Sequence, residues 1–368
     1  MGPMISGRDR LARPAAFWGM PLVGDPSAAD PGGRPSGASA RLGAMSTQAD
    51  GSRRPRVVSL LPSATEHVAA LGYQDALVGI SHECDFPMGL SGLPILTSSK
   101  VLSKGTSLAI DQDVRRVLRE ALGVYDLDTQ RLEQLEPDVI VTQDLCDVCA
   151  VSLKDVEAAA VNLLGDHVQV VNLHPMCLED IWTDMASVAR ALGAQTELAS
   201  ALEERRGRIA AIAERAQAAT HRPRTLTIEW LDPIMLGGLW MPELIELGGG
   251  TPMVTVPGEK APTWTDADLA RLDPAPDVVL VKPCGFDLER TRQEAAAFAQ
   301  RIGRFDWPAV HNDRVFVADG NAYFNRPGPR IVESLEILAS CMQPELFAAE
   351  ALAHRDAVVR LSQWAPMR

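Results

Sequence analysis

The sequence predicts an α/β protein of two lobes, each a small, mainly parallel sheet covered by helices, the two joined by a long interlobe helix. Three observations carry that prediction. From residue 56 onward, β-rich apolar runs alternate with helical segments. The order of those segments repeats in the second half of the chain, which is how two homologous units read in a sequence. Between the halves, residues 178 to 219 are rich in Ala, Leu, Glu and Arg and hold few breakers, a composition that favours helix.

Each element follows in order. "RVVSLL" is a β-rich run, and "PSATEHVAALG" reads as a helix closing on Gly72, with Ser63 and Glu66 at the S-x-x-E spacing of a capping box. "ALVGIS" is the second strand, "LEQLEPDVIVTQ" a helix, a proline and a buried strand, and "VQVVNL" another strand. In the second half "RTLTIEW" is a strand and "MPELIELGGG" a helix closing on glycines. "LARLDPAPDVVLVKP" then matches "LEQLEPDVIVTQ", and "RVFVADG" matches "VQVVNL". The expected boundaries are a first lobe over 55–175, one linking helix or two broken near Gly193 over 176–220, a second lobe over 221–347, and a tail or helix over 348–368. Residues 1–54, rich in Gly, Pro, Ala, Ser and Arg, read as a disordered extension, with Met45 as an alternative start. Arg8, Arg10 and Arg13 precede "PAAFWGMPLVG", a faint echo of a signal peptide that two prolines and a glycine interrupt, so localisation stays open.

Composition narrows the function. The chain has 368 residues, 46% of them hydrophobic and 5% aromatic, with a formal net charge of −13. The length suits two lobes, and the acidic balance excludes a basic stripe for nucleic acid. No run reaches the ~20 apolar residues of a membrane span. Six cysteines in so long a chain do not make a disulfide scaffold.

In open α/β sheets, ligands gather at the carboxyl ends of strands. Here those ends are "SHECDFP", "TQDLCDVC", "EWLDPIMLGGLW" with Trp240 at its close, "KPCGF" and "DGNAYFNRPGPR". No nucleophile–base pair, Walker loop or dinucleotide fingerprint is present, so no catalytic residue is assigned.

The segments "VVSLLPSATEHVAALG", "SHECDFP", "LEQLEPDVIV", the interlobe helix, "ELIELGGG" and "YFNRPGPRI" occur in an order that resembles the substrate-binding proteins of ABC importers for cobalamin, iron–siderophores and haem. The resemblance covers roughly residues 56 to 345 and looks strongest to the cobalamin branch, through "CDFP" and "FNRPGPRI". It implies a monomeric binding protein, not an enzyme, that holds a small molecule between its lobes and docks on a permease. By that resemblance Phe86, Trp230, Trp264, Asp319 and Arg326 fall on cleft positions, and Tyr323 and Phe324 share the last loop. Trp240 joins this set, and Gln143 stands where the branch often has an aromatic. A corrin or porphyrin is a broad apolar plate with a polar fringe, so aromatic walls and a few polar groups suit it. Glu66 and Glu246 fall on the exposed glutamates with which the family engages its permease. The insertion "SSKVLSKGTSLAIDQDVRRVLREALGVYDL" is larger than a minimal lobe needs.

The ligand expected first is cobalamin or a related corrinoid, followed by haem or an iron–siderophore, for which Tyr323, His82 and His174 are available as haem ligands. The loop with Cys146 and Cys149, aided by His82 and Cys84, leaves three readings open. It holds reduced thiols, or ligates zinc, iron or the metal of a bound ligand, or forms a redox pair. Asp144 and Asp147 would raise thiol pKa values and count against the redox pair. A different class of function, a cytosolic metal- or corrinoid-handling protein, would use the same His and Cys ligands.

Overall fold

The computed structural model describes residues 53–101, 105–119, 124–145, 156–158, 167–260 and 262–367. The N-terminal extension up to residue 52, and Cys146 and Cys149, lie outside the described residues.

The first lobe is built on β1 (Val57–Ser59), β2 (Leu77–Ile80), β5 (Val139–Gln143) and β6 (Gln169–Leu173), in the order β2-β1-β5-β6 and parallel throughout. Val57, Val58, Ile140 and Val141 are completely buried although they alternate between faces, as an all-parallel sheet with two covered faces requires. Helices α1 (Pro62–Ala70) and α3 (Thr129–Gln134) belong to this lobe. Helix α1 begins at Pro62 with Leu61 at its N-cap, so Ser63 sits inside the first turn and the expected capping box does not form. The insertion forms a short antiparallel pair, β3 (Thr97–Ser99) and β4 (Tyr125–Leu127), that carries helix α2 (Ser107–Arg119). Val101, Val117 and Val124 bind helix and hairpin together.

The linking segment is two helices, α4 (Leu178–Leu192) and α5 (Gln195–Ala216), separated at Gly193, whose φ of 70° is the left-handed cap that ends α4. The 22 residues of α5 give a rod of about 33 Å at 1.5 Å per residue. Helix α5 packs on α4, which itself lies against α1 and β6 of the first lobe, and on α6 (Met241–Leu247) and α11 (Ile331–Met342) of the second. One apolar cluster runs through Val68, Met185, Ile212, Leu244 and Leu335, so the connector is built into a core that both lobes share.

The second lobe has strands β7 (Arg224–Leu231), β8 (Ile234–Leu236), β9 (Thr251–Pro252), β10 (Thr263–Trp264), β11 (Val278–Val281), β12 (Val315–Ala318) and β13 (Val358–Arg360). Their order is β10-β8-β7-β11-β12-β13, with β9 alongside β7. Strands β7, β11 and β12 are parallel, while β8 runs antiparallel to both its neighbours β7 and β10, and β13 antiparallel to β12. Short helices α7 (Asp266–Leu269), α8 (Leu288–Arg292), α9 (Ala295–Ile302), α10 (Pro308–His311) and α12 (Ala348–Ala353) complete it. Past residue 347, where a tail or helix is expected, helix α12 is followed by edge strand β13, and Leu361 behind it is fully buried.

Candidate functional site between the lobes

The loops that leave the carboxyl ends of the two sheets meet. Asp85, in the loop after β2, accepts from Arg326 Nη1 at 2.5 Å, Arg326 Nη2 at 3.0 Å and Asn321 Nδ2 at 2.8 Å, both partners lying in the loop after β12. Glu66 of α1 accepts from Arg330 Nη2 at 2.6 Å and Nε at 3.0 Å, with Arg326 a further 3.5 Å ion pair. Glu66 is 2% exposed and Arg326 7%, so the Glu66 pairs are interior, while the Asp85 carboxylate that Arg326 reaches is half exposed; both join one lobe to the other. Burial opposes the Asp85 charge, but the hydrogen bond and charge of Arg326 outweigh it and hold the carboxyl below its usual range.

Aromatic rings flank this seam. The Arg330 guanidinium lies 4.0 Å from the Phe86 ring centroid and 5.5 Å from that of Tyr323, a first-lobe and a second-lobe ring on one cation. Trp230, at the end of β7, donates its indole N–H to the Asp232 carbonyl at 3.2 Å and packs 5.1 Å from Phe286. Trp264 is half-buried on β10, in register with Ile234 just past the β7 turn. Four expected aromatics therefore fall at the facing strand ends.

The same ends carry a buried cation that the sequence reading passed over. Lys282, 1% exposed, follows β11 and donates to Glu229 at 3.0 Å and to the Asn325 side chain at 2.8 Å. Gly320 is needed beside it, because a Cβ there would meet the Pro283 carbonyl oxygen at 2.1 Å. Asp319 accepts from the backbone N–H groups of Asn321 and Ala322 at 3.0 and 2.7 Å, and burial raises its pKa despite them.

Several residues lie elsewhere than expected. Trp240 is 4% exposed and Phe324 0%; the Trp240 indole donates to the Phe324 carbonyl at 2.9 Å, and both rings belong to the shared core. Glu66, expected on the surface, is sealed under two arginines, whereas Glu246 on α6 is exposed. Gln143 is 5% exposed at the end of β5, and its Oε1 has no partner among the described residues. Asp144 and His174, at the ends of β5 and β6, pair at 2.5 Å. His82 Nδ1 lies 2.6 Å from Thr97 Oγ1 and its ring packs edge-on to Tyr125, so it belongs to the hairpin. Cys84 Sγ takes the Thr65 hydroxyl at 3.1 Å, and burial pushes its thiol up to about 11. Among the described residues no three His, Cys, Asp or Glu side chains are grouped to hold a metal. Asp85, Arg330, Lys282 and Glu229 all stand in the strand-end loops, but nothing local to those loops marks which charges pair.

A parallel sheet and a mixed sheet that face each other with the carboxyl ends of their parallel strands, both packed on a helical brace, define a ligand-binding protein whose site lies between lobes. The family model described as "Periplasmic binding protein" matches residues 57–322, and the chain belongs to that family. Among solved structures it is similar to a periplasmic haem-binding protein from Roseiflexus sp. RS-1 in apo form, with 18% identity and a TM-score of 0.57, covering 81% of this chain and 99% of that one. It is likewise similar to a periplasmic vitamin B12 binding protein of Vibrio cholerae, with 18% identity, a TM-score of 0.57, and 79% and 97% covered. A periplasmic haem-binding protein from Pseudomonas aeruginosa gives 19% identity, a TM-score of 0.57, and 79% and 93% covered. These likenesses establish a shared fold. No curated protein matches the chain.

Proposed function

We propose that the chain is the solute-binding component of an ABC importer and holds a metal–tetrapyrrole, cobalamin or a related corrinoid first, between its lobes. The observation that carries this reading is the convergence of Phe86 and Tyr323 on Arg330, with Trp230 and Trp264 at the same strand ends. Flat rings from both lobes suit a flat apolar guest. Charge separates the guests. Arg326 is matched by Asp85, Arg330 by Glu66 and Lys282 by Glu229, so an anionic fringe would have to break an internal pair, whereas an amide-fringed corrin would not. Haem is the runner-up, supported by Tyr323 as an axial-ligand type and by haem binders among the similar folds. A permease would meet the exposed Glu246 on the second lobe; Glu66 is committed to the seam.

Adding cyanocobalamin to the purified protein is expected to quench tryptophan fluorescence saturably. Burying about 100 Å² of indole face at about 25 cal/mol per Å² is worth about 2.5 kcal/mol. Trp264→Ala is therefore expected to raise Kd at least tenfold. If neither cobalamin nor haem changes fluorescence or melting temperature at saturation, the proposal fails.

A further inference from the structure

The insertion between β3 and β4 reaches the opposite lobe. Its hairpin is rooted in the first lobe, where Asp128 N donates to the Leu96 carbonyl at 2.8 Å and Tyr125 and Leu127 pack on that lobe's core. Its helix begins in the second. Ser107, completely buried, donates its backbone N–H to Glu294 at 2.9 and 3.1 Å and its hydroxyl at 2.6 Å. Glu294 is also paired with Arg290 at 3.0 Å, and Arg290 donates to the Gly105 carbonyl. The Arg290 guanidinium lies 4.1 Å over Phe286, the ring that packs on Trp230. Helix α2 also touches β7.

We infer that α2 is a strap across the mouth of the interlobe site, clamped shut by Glu294, and that its release governs how fast a ligand enters and leaves. Two donors of one residue, the Ser107 backbone N–H and hydroxyl, converge on one carboxylate, which places the clamp at a single point. Through Arg290 and Phe286 that point is coupled to Trp230, so the closed strap also positions one wall of the site. It is a second interlobe fastening, separate from the Glu66–Arg330 seam. An insertion that a minimal lobe does not need thereby acquires a role. The gating role rests on the ligand site proposed above, while the clamp does not.

Glu294→Ala and Ser107→Ala in the full chain test both. Hydrogen exchange of amides in 105–119 is expected to accelerate about tenfold or more in Glu294→Ala, and less in Ser107→Ala, which keeps the backbone donor. Exchange in β5 and β6 is expected to stay unchanged. Stopped-flow quenching by cyanocobalamin is expected to show association and dissociation both several-fold faster, with Kd moving less than either rate. Unchanged exchange in 105–119 overturns the clamp. A released strap with unaltered ligand rates overturns the gate, and so does a wild-type chain that binds no corrinoid, in which case the exchange result stands by itself.

Discussion

Replacing Arg330 with methionine is expected to destabilise the protein by about 3–5 kcal/mol, the range for stranding a buried charge by removing its partner. Arg330 supplies two of the three cationic contacts to Glu66, at 3.0 and 2.6 Å, and Arg326 remains only at 3.5 Å. With Glu66 2% exposed, water cannot replace what is lost. The same substitution frees the faces of Phe86 and Tyr323, so the two lobes lose an aromatic contact as well. Adding Glu66→Gln to Arg330→Met is expected to recover at least half of the loss, because the uncompensated charge goes with it. Urea unfolding of the two variants checks both figures. A loss under about 1 kcal/mol for Arg330→Met would class the seam with exposed ion pairs.

Two buried groups are expected to give opposite pH responses. His67 on α1 is completely buried. Neither of its ring nitrogens makes a well-formed hydrogen bond among the described residues, although the Pro327 carbonyl pulls its pKa upward. Burial dominates and, with Arg205 nearby, lowers its pKa to about 4. The unfolded chain therefore binds the extra proton from about pH 6.5 downward, and stability present above that pH is lost as pH falls toward 4.

Asp184 on α4 is 8% exposed. Its carboxylate receives the His174 backbone N–H at 3.2 Å, yet burial raises its pKa to about 7, with Asp180 and Asp144 adding to the rise. Its folded form holds the proton more tightly, so its contribution is full below the unfolded value and is lost as pH rises through 7. Between pH 7.5 and pH 5 the two effects nearly cancel, at about 2 kcal/mol each. Relative to wild type over that interval, His67→Leu is expected to gain about 2 kcal/mol and Asp184→Asn to lose about 2 kcal/mol. Parallel stability curves for all three proteins would show that neither group titrates as its burial requires.

The sheets were legible from sequence because their strands are buried on both faces and read as apolar runs, as Val278–Val281 shows. The helical brace was legible from its composition, and Gly193 from its place at a helix end. The two- and three-residue strands β8, β9, β10 and β13 carry too few positions for a period to show. Glu66 was misplaced because the resemblance carries a surface role over position by position without its surroundings. The S-x-x-E spacing failed for a different reason, since Pro62 at the first helical position moves the cap to Leu61. The true partner of Glu66, Arg330, lies 264 positions away, beyond any local pattern. Trp240 and Phe324 show the same limit, since a loop's composition does not say which of its rings turn into the core. The reach of α2 to Glu294, 187 positions from Ser107, was likewise invisible.

Isothermal titration of the purified chain with cyanocobalamin, haemin and a ferric siderophore addresses the interlobe site most directly. The expected outcome is one-to-one binding of the corrinoid at micromolar Kd or tighter, haemin weaker, and the corrinoid affinity reduced at least tenfold in Trp264→Ala. Heat of binding from none of the three, or corrinoid binding indifferent to Trp264, would contradict the assignment of a flat tetrapyrrole to this site.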